Sequence, residues 1–536
     1  MNDSARAPRE LALAIALAAL FAFTALGHPL EAPDEPRVAG IAWEMQHTGQ
    51  WWVPHLGGEP FLEHPPLFYA ALGACLRAFG ASENVARLPG AIASFATMLL
   101  VFGLARRVAD RTAAIPALLA LIGIAAFGRQ SHSAVVDPLL MMFVTAGYYA
   151  YVRAVWSAPR GTPEPDAERV ASGWLVGVYL AAALAFWVKG PIGVVAVGGP
   201  LALDVLWGRR WRVISSPAHL VGLPLLAALC VAWPLVLYEI EGEAAARTFL
   251  VNNVGYRIAP SAGGGAYLGG HAQPFWFYLP QVFGQLGYAT LLAPAVAAWL
   301  WRGDLPPGWR VSALRFLGAV FPIGVLLLSI PGTKRAPYLL PFEPPLAVAI
   351  GAWLAAIARG DGVRSRVEAV VCALCVRALG WMKPIAAVGD AWRAPLRLTA
   401  LAFAVTLTWN NVGLPFTGHR RDLGPMARAV GERVGDAPLV MFQPSEALLG
   451  ALPFYAGRIP PYAHELAELA TIVARSDARY VLAPVTAYDA LVGALGRPAV
   501  LEASWKTKRA ELGLFAIPAQ LPPSPLADRA TGLIPR

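Results

Sequence analysis

The run LALAIALAALFAFTAL, residues 11–26, is followed within a few residues by LEAPDEPRVAGIAWEMQHTGQWWVPHLGGEPFLEHPPLFY, residues 30–69. The first stretch approaches the roughly 20 apolar residues that a helix needs to cross a hydrocarbon core. The second carries six acids, Glu31, Asp34, Glu35, Glu44, Glu59 and Glu63, against the single Arg37. A span that opens directly into an acid-bearing loop places polar chemistry at one membrane face.

The apolar runs recur along the chain, which has 536 residues, 57% hydrophobic and only 14% charged. Spans are expected near 11–26, 86–105, 112–127, 134–152, 172–188, 191–207, 218–238, 275–300, 312–330, 338–358 and 396–410, with a further apolar stretch at 366–380. Open sheets cannot cross a bilayer because their edge groups go unpaired, so the expected fold is an all-α polytopic membrane bundle of eleven to thirteen spans. Residues 11–26 follow an Arg-containing N-terminus as a signal peptide does, but no small-x-small site precedes a soluble domain, and an uncleaved first span is expected.

The net charge of +9 does not point to nucleic acid. The basic residues cluster between spans, in RRVADR at 106–111, GRRWR at 208–212, WRGDLPPGWR at 301–310 and RGDGVRSR at 359–366. Alternate threading puts these loops, and 153–169, on one side, which the positive-inside bias makes cytoplasmic. The opposite side receives 28–85, 239–274 and short loops around 128–137, 189–191 and 331–337. Six of the nine histidines lie there, His28, His47, His55, His64, His132 and His271, as do two of the five lysines, Lys189 and Lys334. Chemistry is expected on this exoplasmic face. Cys372 and Cys375 form a lone C-x-x-C inside VVCALCV, too apolar a setting for a zinc or redox site.

Residues 1–415 are read as the transmembrane domain, with surface helices in 28–85. From about residue 420 to 520, strand-like APLVMFQ and ARYVLAP alternate with helix-like AHELAELATIVARS, which predicts a small soluble α/β domain, placed on the exoplasmic side. A lid or docking module is its plainest role. Parity leaves its side open, because it depends on how many spans lie between 366 and 396. Residues 521–536 read as a loose, Pro-rich tail.

Asp34 and Glu35, after Pro33, open a helix whose Val38, Ile41, Ala42 and Met45 form an apolar stripe suited to a membrane surface. Asp34 is either a helix cap or a general base, since a partly desolvated carboxylate gains a useful pKa. Glu63-His64, before Pro65-Pro66, suits a divalent cation or a phosphate. Lys189 is either an interfacial anchor or a phosphate contact. Lys334-Arg335 runs against the topology bias and is read as functional.

The ordered motifs, Ala32-Pro33-Asp34-Glu35 with Arg37, Glu44-Met45, Gly49-x-Trp51-x-x-Pro54, Glu63-His64-Pro65-Pro66, Arg87 to Ala91, Val136-Asp137-Pro138, Lys189-Gly190-Pro191, His271 before Pro274 to Pro280, and Lys334-Arg335 before Tyr338 to Pro341, resemble the C-type (GT-C) membrane glycosyltransferases. These use polyprenyl-phosphate sugars, and the nearest branches are the lipid A 4-amino-4-deoxy-L-arabinose transferases and the protein O-mannosyltransferases. The resemblance covers roughly residues 10–350. It implies eleven to thirteen spans, two surface helices in the first outer loop, an exoplasmic C-terminal α/β domain, and a donor phosphate at the outer leaflet of a bacterial inner membrane. It implies inverting sugar transfer to a lipid, glycan or protein acceptor, with Asp34 as the catalytic acid of the first loop and Asp137 as a second. It implies Glu63 and His271 as holders of a divalent cation, and Lys334 and Tyr338 in a phosphate-binding loop.

One position departs: arabinose-transferring members have Lys where this chain has His64, and His carries charge only conditionally near neutral pH. Independently of the family, a departing phosphate needs cations at its oxygen, and His64, Lys189, Arg257, Lys334 and Arg335 stand on the expected face to supply them. A transporter of a lipid-linked or small polar substrate is the alternative, but its usual signs are mid-span ionisable residues or inverted repeats with broken helices.

Overall fold

The structure, a computed structural model, describes residues 3–157, 170–255, 272–303, 305–360, 363–380, 391–417, 421–507 and 510–518. Arg257, His271 and the 521–536 tail lie outside the described residues. The chain divides into two compact units, one formed by residues 1–29, 42–55 and 60–418, the other by residues 30–41, 56–59 and 419–536.

The described residues of the first unit are mainly helical, because each apolar run satisfies its own backbone hydrogen bonds only as a helix. Its long helices are Asp3–Ala22, Glu83–Val108, Arg111–Gly123, Asp137–Val155, Ser172–Lys189, Pro191–Trp207, Ala218–Glu241, Val311–Ser329, Glu343–Ala358, Arg366–Leu379 and Ala394–Thr408. Among the described residues, five helices are each long and apolar enough to cross a membrane: Glu83–Val108, Ser172–Lys189, Ala218–Glu241, Val311–Ser329 and Ala336–Ala358.

The expected single span at 275–300 is instead two helices, Phe275–Leu286 and Ala289–Arg302, bent by 105°. Gly287, at φ 57°, ends the first piece, a backbone angle that glycine adopts without Cβ strain. A Cβ there would also stand 3.0 Å from that of Ala125. Tyr288 then anchors the second piece, its hydroxyl donating to the Ala120 carbonyl at 3.2 Å.

Two helices show the limits of burial. The most apolar stretch of Ala336–Ala358 is wholly enclosed, whereas only 17% of that of Ala218–Glu241 is buried. The latter turns Leu220, Leu223, Val231 and Leu235 outward, an apolar surface suited to lipid. At the enclosed helix, Gly351 lets the backbone approach that of Ala117, where a Cβ would come within 2.3 Å of the Ala117 nitrogen. Small residues at such crossings permit close packing in a bilayer.

The basic loops gather at one end of this unit. Arg310 N donates to Val108 O at 2.8 Å, Trp309 Nε1 to Asp110 at 3.0 Å, and Arg359 pairs with Asp110. The Arg210 guanidinium lies 4.3 Å from the Trp156 ring, and Trp156 Nε1 donates to Ser312 Oγ at 2.8 Å. Those contacts join the loops that the charge bias assigns to one side.

The second unit is an α/β domain. Strands β1 Leu439–Phe442, β2 Tyr462–Ala463, β3 Tyr480–Pro484, β4 Val500–Lys506 and β5 Glu511–Ala516 form one sheet in the order β2-β1-β3-β5-β4. β2 and β3 run parallel to β1, while β5 runs antiparallel to β3 and β4. Val440, Phe442, Leu469, Val481, Leu491 and Phe515 fill its core. Residues 30–41 join this domain through the first half of the Asp34–Thr48 helix. Gly40 meets Gly450 backbone to backbone, so that a Cβ on Gly40 would lie 2.3 Å from Gly450 Cα.

Candidate active site

Away from the basic loops, three turns of the first unit bring charged groups together. Asp137 begins the Asp137–Val155 helix, with Pro138 in its first turn. Lys189 ends the Ser172–Lys189 helix. Gly190, at φ 72°, reverses the chain so that Pro191 starts the next helix at once. A cation in a helix's last turn and an anion in a first turn both suit the helix dipoles. Lys189 Nζ donates to Asp137 Oδ1 at 2.5 Å, with side chains only 5% and 12% exposed. The same ammonium lies 4.5 Å from the centre of the Tyr338 ring.

Tyr338 belongs to the turn Ala336–Phe342, and its N–H donates to Arg335 O at 3.1 Å. The buried Tyr278 hydroxyl donates to the same carbonyl at 3.3 Å. Loops 272–273 and 331–334 are zipped by an antiparallel bridge between Ala272 and Thr333 and by Gln273 N donating to Gly332 O at 3.0 Å. Lys334 is buried, and its ammonium donates to Gln273 O at 3.0 Å and Pro331 O at 2.5 Å. Burial holds its pKa below the ordinary lysine value. An ammonium has three donors, and these carbonyls take two.

The structure therefore brings Asp137, Lys189 and Tyr338 together and sets Lys334 and Arg335 in the adjoining loop. Tyr278 was not singled out by the sequence; its place in PFWFYLP, opposite the KR loop, was the only signal. Glu63 and His64 are described in the same unit, half-buried and buried respectively. Among the described residues, no group of three or more His, Cys, Asp or Glu is arranged to hold a metal ion; His271 lies outside that set.

Three of the outer-face histidines, His132, His55 and His47, have separate partners. His132 is fully buried, its Nε2 facing Phe21 O at 2.7 Å and its Nδ1 accepting from Asn410 Nδ2 at 3.0 Å. Burial pushes its pKa down to about 4, so it is neutral, and the Asn410 donor fixes the proton on Nε2. It is a structural clamp. His55 Nε2 faces Glu241 at 3.3 Å, and His47 stacks on Trp43 at 4.5 Å. Arg87, of the RLPGA motif, is buried and donates to the carbonyls of Leu26, His28 and Pro29, fixing the exit from the first helix.

Asp34 belongs to the second unit. It lies in the first turn of the Asp34–Thr48 helix, and its Oδ1 accepts from Arg37 Nη2 at 2.9 Å. Arg37 Nη1 also donates to Glu446 at 2.6 Å. The helix-opening contact is made by Glu35, whose Oε2 accepts from Glu31 N at 2.7 Å.

Residues 63–238 match a family model described as dolichyl-phosphate-mannose-protein mannosyltransferase. An undecaprenyl phosphate-α-4-amino-4-deoxy-L-arabinose arabinosyl transferase of Edwardsiella ictaluri is 29% identical over 68% of this chain and 62% of its own length. One of Sodalis glossinidius is 31% identical over 66% of this chain and 60% of its own length. The chain thus spans less than two thirds of these relatives' length. In fold, ArnT from Cupriavidus metallidurans, solved bound to undecaprenyl phosphate, superposes with a TM-score of 0.71 at 18% identity, covering 96% of this chain and 99% of that one. In its helical bundle and small sheet domain the chain shares the fold of that ArnT, and in sequence it is similar to these arabinosyl transferases.

Proposed function

We propose that the protein transfers a sugar from a polyprenyl-phosphate donor to a lipid, glycan or protein acceptor at the outer face of a bacterial inner membrane. The observation that carries this reading is the buried Lys189–Asp137 pair against Tyr338, beside Lys334, at the end of the bundle away from the basic loops. In an inverting displacement, the acceptor oxygen attacks the anomeric carbon while the bond from that carbon to the donor's phosphate oxygen breaks. The hydroxyl proton goes to Asp34, and polyprenyl phosphate leaves with its negative charge. Lys189, Lys334, Arg335 and Tyr338, with His64 and Arg257, lower the cost of that charge. Asp137 holds Lys189 in position. A divalent cation at Glu63 and His271 is the alternative source of positive charge, and loss of turnover in chelator, restored by added metal, distinguishes the two.

The relatives' names specify aminoarabinose, but the proposal stops at the polyprenyl-phosphate sugar, because His64 stands where the arabinose-transferring members have Lys. Mass spectrometry of envelope lipids and glycans from a deletion strain should show one sugar substituent lost. An unchanged profile would count against transfer.

The α/β domain is read as exoplasmic. Support comes from residues 30–41, which follow the first span into the outer loop and belong to the same compact unit as residues 419–536. Parity then requires that Arg366–Leu379 and Ala394–Thr408 together make one crossing. Arg366–Leu379 has 14 residues, about 21 Å at the helical rise, and is short for a span of its own. A Glu502→Cys variant in intact cells should react with an impermeant thiol reagent added outside. Protection until lysis would place the domain in the cytoplasm.

A further inference from the structure

The α/β unit contains a cleft of about 1000 Å³, bounded by segments 32–33, 421–426, 443–448 and 504–507 with Pro484, Ala510 and Leu512. It opens at the carboxyl ends of β1 and β3. From β1 the chain turns through Gln443, Pro444 and Ser445 into the Glu446–Ala456 helix and on to β2 on one side. From β3 it leaves toward β4 and β5 on the other side. That divergence is a topological switch point, the place where open α/β sheets bind ligands. Gln443, at φ 50°, holds the left-handed turn that opens the cleft.

The lining is cationic, aromatic and hydroxyl-bearing. Arg421 and Lys506 border it without a side-chain partner among the described residues. The two acids of the wall are already engaged: Asp422 Oδ1 accepts from Gly424 N at 2.7 Å, and Glu446 is held by Arg37 at 2.6 Å. Arg421 and Lys506 are thus the cations of the lining that hold no side-chain partner among the described residues. Trp505 is half-buried in the same wall, with the Arg433 guanidinium 5.8 Å from its ring centre. Ser504, Ser445 and Gln443 add polar groups, while Met426, Leu448 and Leu512 add apolar floor. A flat aromatic wall suits the C–H face of a pyranose, hydroxyl and amide groups suit its hydroxyls, and the volume exceeds what a simple anion fills.

We infer that this cleft binds an anionic saccharide, a sugar carrying phosphate or carboxylate, with Lys506 and Arg421 on the anion and Trp505 on the ring. Its wall includes Ala32 and Pro33, the two residues before the Asp34–Thr48 helix. The inference goes beyond sugar transfer and does not need it: binding is measured without donor, and its failure leaves the transfer reaction untouched.

The test is equilibrium binding of radiolabelled glucosamine 6-phosphate to the full chain in detergent, with no donor present. Lys506→Gln should weaken it about tenfold, the scale of one charge-assisted hydrogen bond. Trp505→Ala should weaken it similarly without altering any binding of inorganic phosphate. The thermal midpoint of each variant verifies that it is folded, and Lys506→Gln, at an exposed strand end, keeps the test decisive if Trp505→Ala misfolds. Competition by unlabelled glucosamine 6-phosphate and by vesicles containing a glucuronosyl lipid distinguishes a free from a membrane-borne sugar. Displacement by either supports the site. Absence of binding, equal binding in Lys506→Gln, or equal competition by inorganic phosphate alone would overturn it.

Discussion

Asp34→Asn is expected to leave the protein folded and to reduce sugar transfer by about two orders of magnitude or more, the scale of general-base catalysis. The fold should tolerate the change because asparagine keeps the size and much of the capping ability of the aspartate. Its side chain is 35% exposed, and its i,i+3 ion pair with the 13% exposed Arg37 is partly screened by solvent. Arg37 keeps Glu446, and Glu35 keeps the helix-opening bond to Glu31. The amide cannot take the acceptor's proton, so the loss should fall on the chemical step while donor binding persists. Normal transfer in Asp34→Asn with transfer abolished in Asp137→Asn would assign the base to the other carboxylate.

Lys189→Met is expected to act on stability as well as turnover. Removing one partner of a buried ion pair leaves the other charge uncompensated, which commonly costs about 3–5 kcal/mol. Asp137, only 12% exposed, would be left in that position. Replacing both, as Lys189→Met with Asp137→Asn, should recover much of that stability, because no buried charge remains. Donor turnover should stay low in the double variant, since the cation near the leaving phosphate is gone. Thermal unfolding beside donor turnover separates the outcomes: if the double variant regains both, Lys189 serves the fold alone.

Five of the expected spans were legible in full, because an apolar run in a bilayer has one way to pair its backbone, and their length and hydropathy suffice to read them. The bend at Gly287 was not, because a glycine inside an apolar run signals nothing until Ala125 and Tyr288 show what it packs against. Asp137, Lys189 and Tyr338 were each legible as polar residues at span ends. Their meeting was not, since it depends on how three helices distant in sequence align. The histidine-rich outer face was a weaker guide. His132 is neutral and buried between Phe21 and Asn410, partners more than 100 residues away on either side. The membership of residues 30–41 in the C-terminal unit was invisible for the same reason: Gly40 and Gly450 look like ordinary glycines until their backbones touch. The strands of that unit could be read from their alternation with helices, but their order, and hence the switch point and its cleft, could not.

Sugar transfer from a lipid phosphate is tested most directly with the purified chain in detergent, given a polyprenyl-phosphate sugar and an extract of envelope glycolipids, by following released polyprenyl phosphate and labelled acceptor together. Stoichiometric appearance of both, lost in Asp34→Asn, is the predicted result. Donor recovered intact in detergent, with the same chain in vesicles moving the unaltered lipid or a small polar solute across the bilayer, would contradict it and identify a transporter.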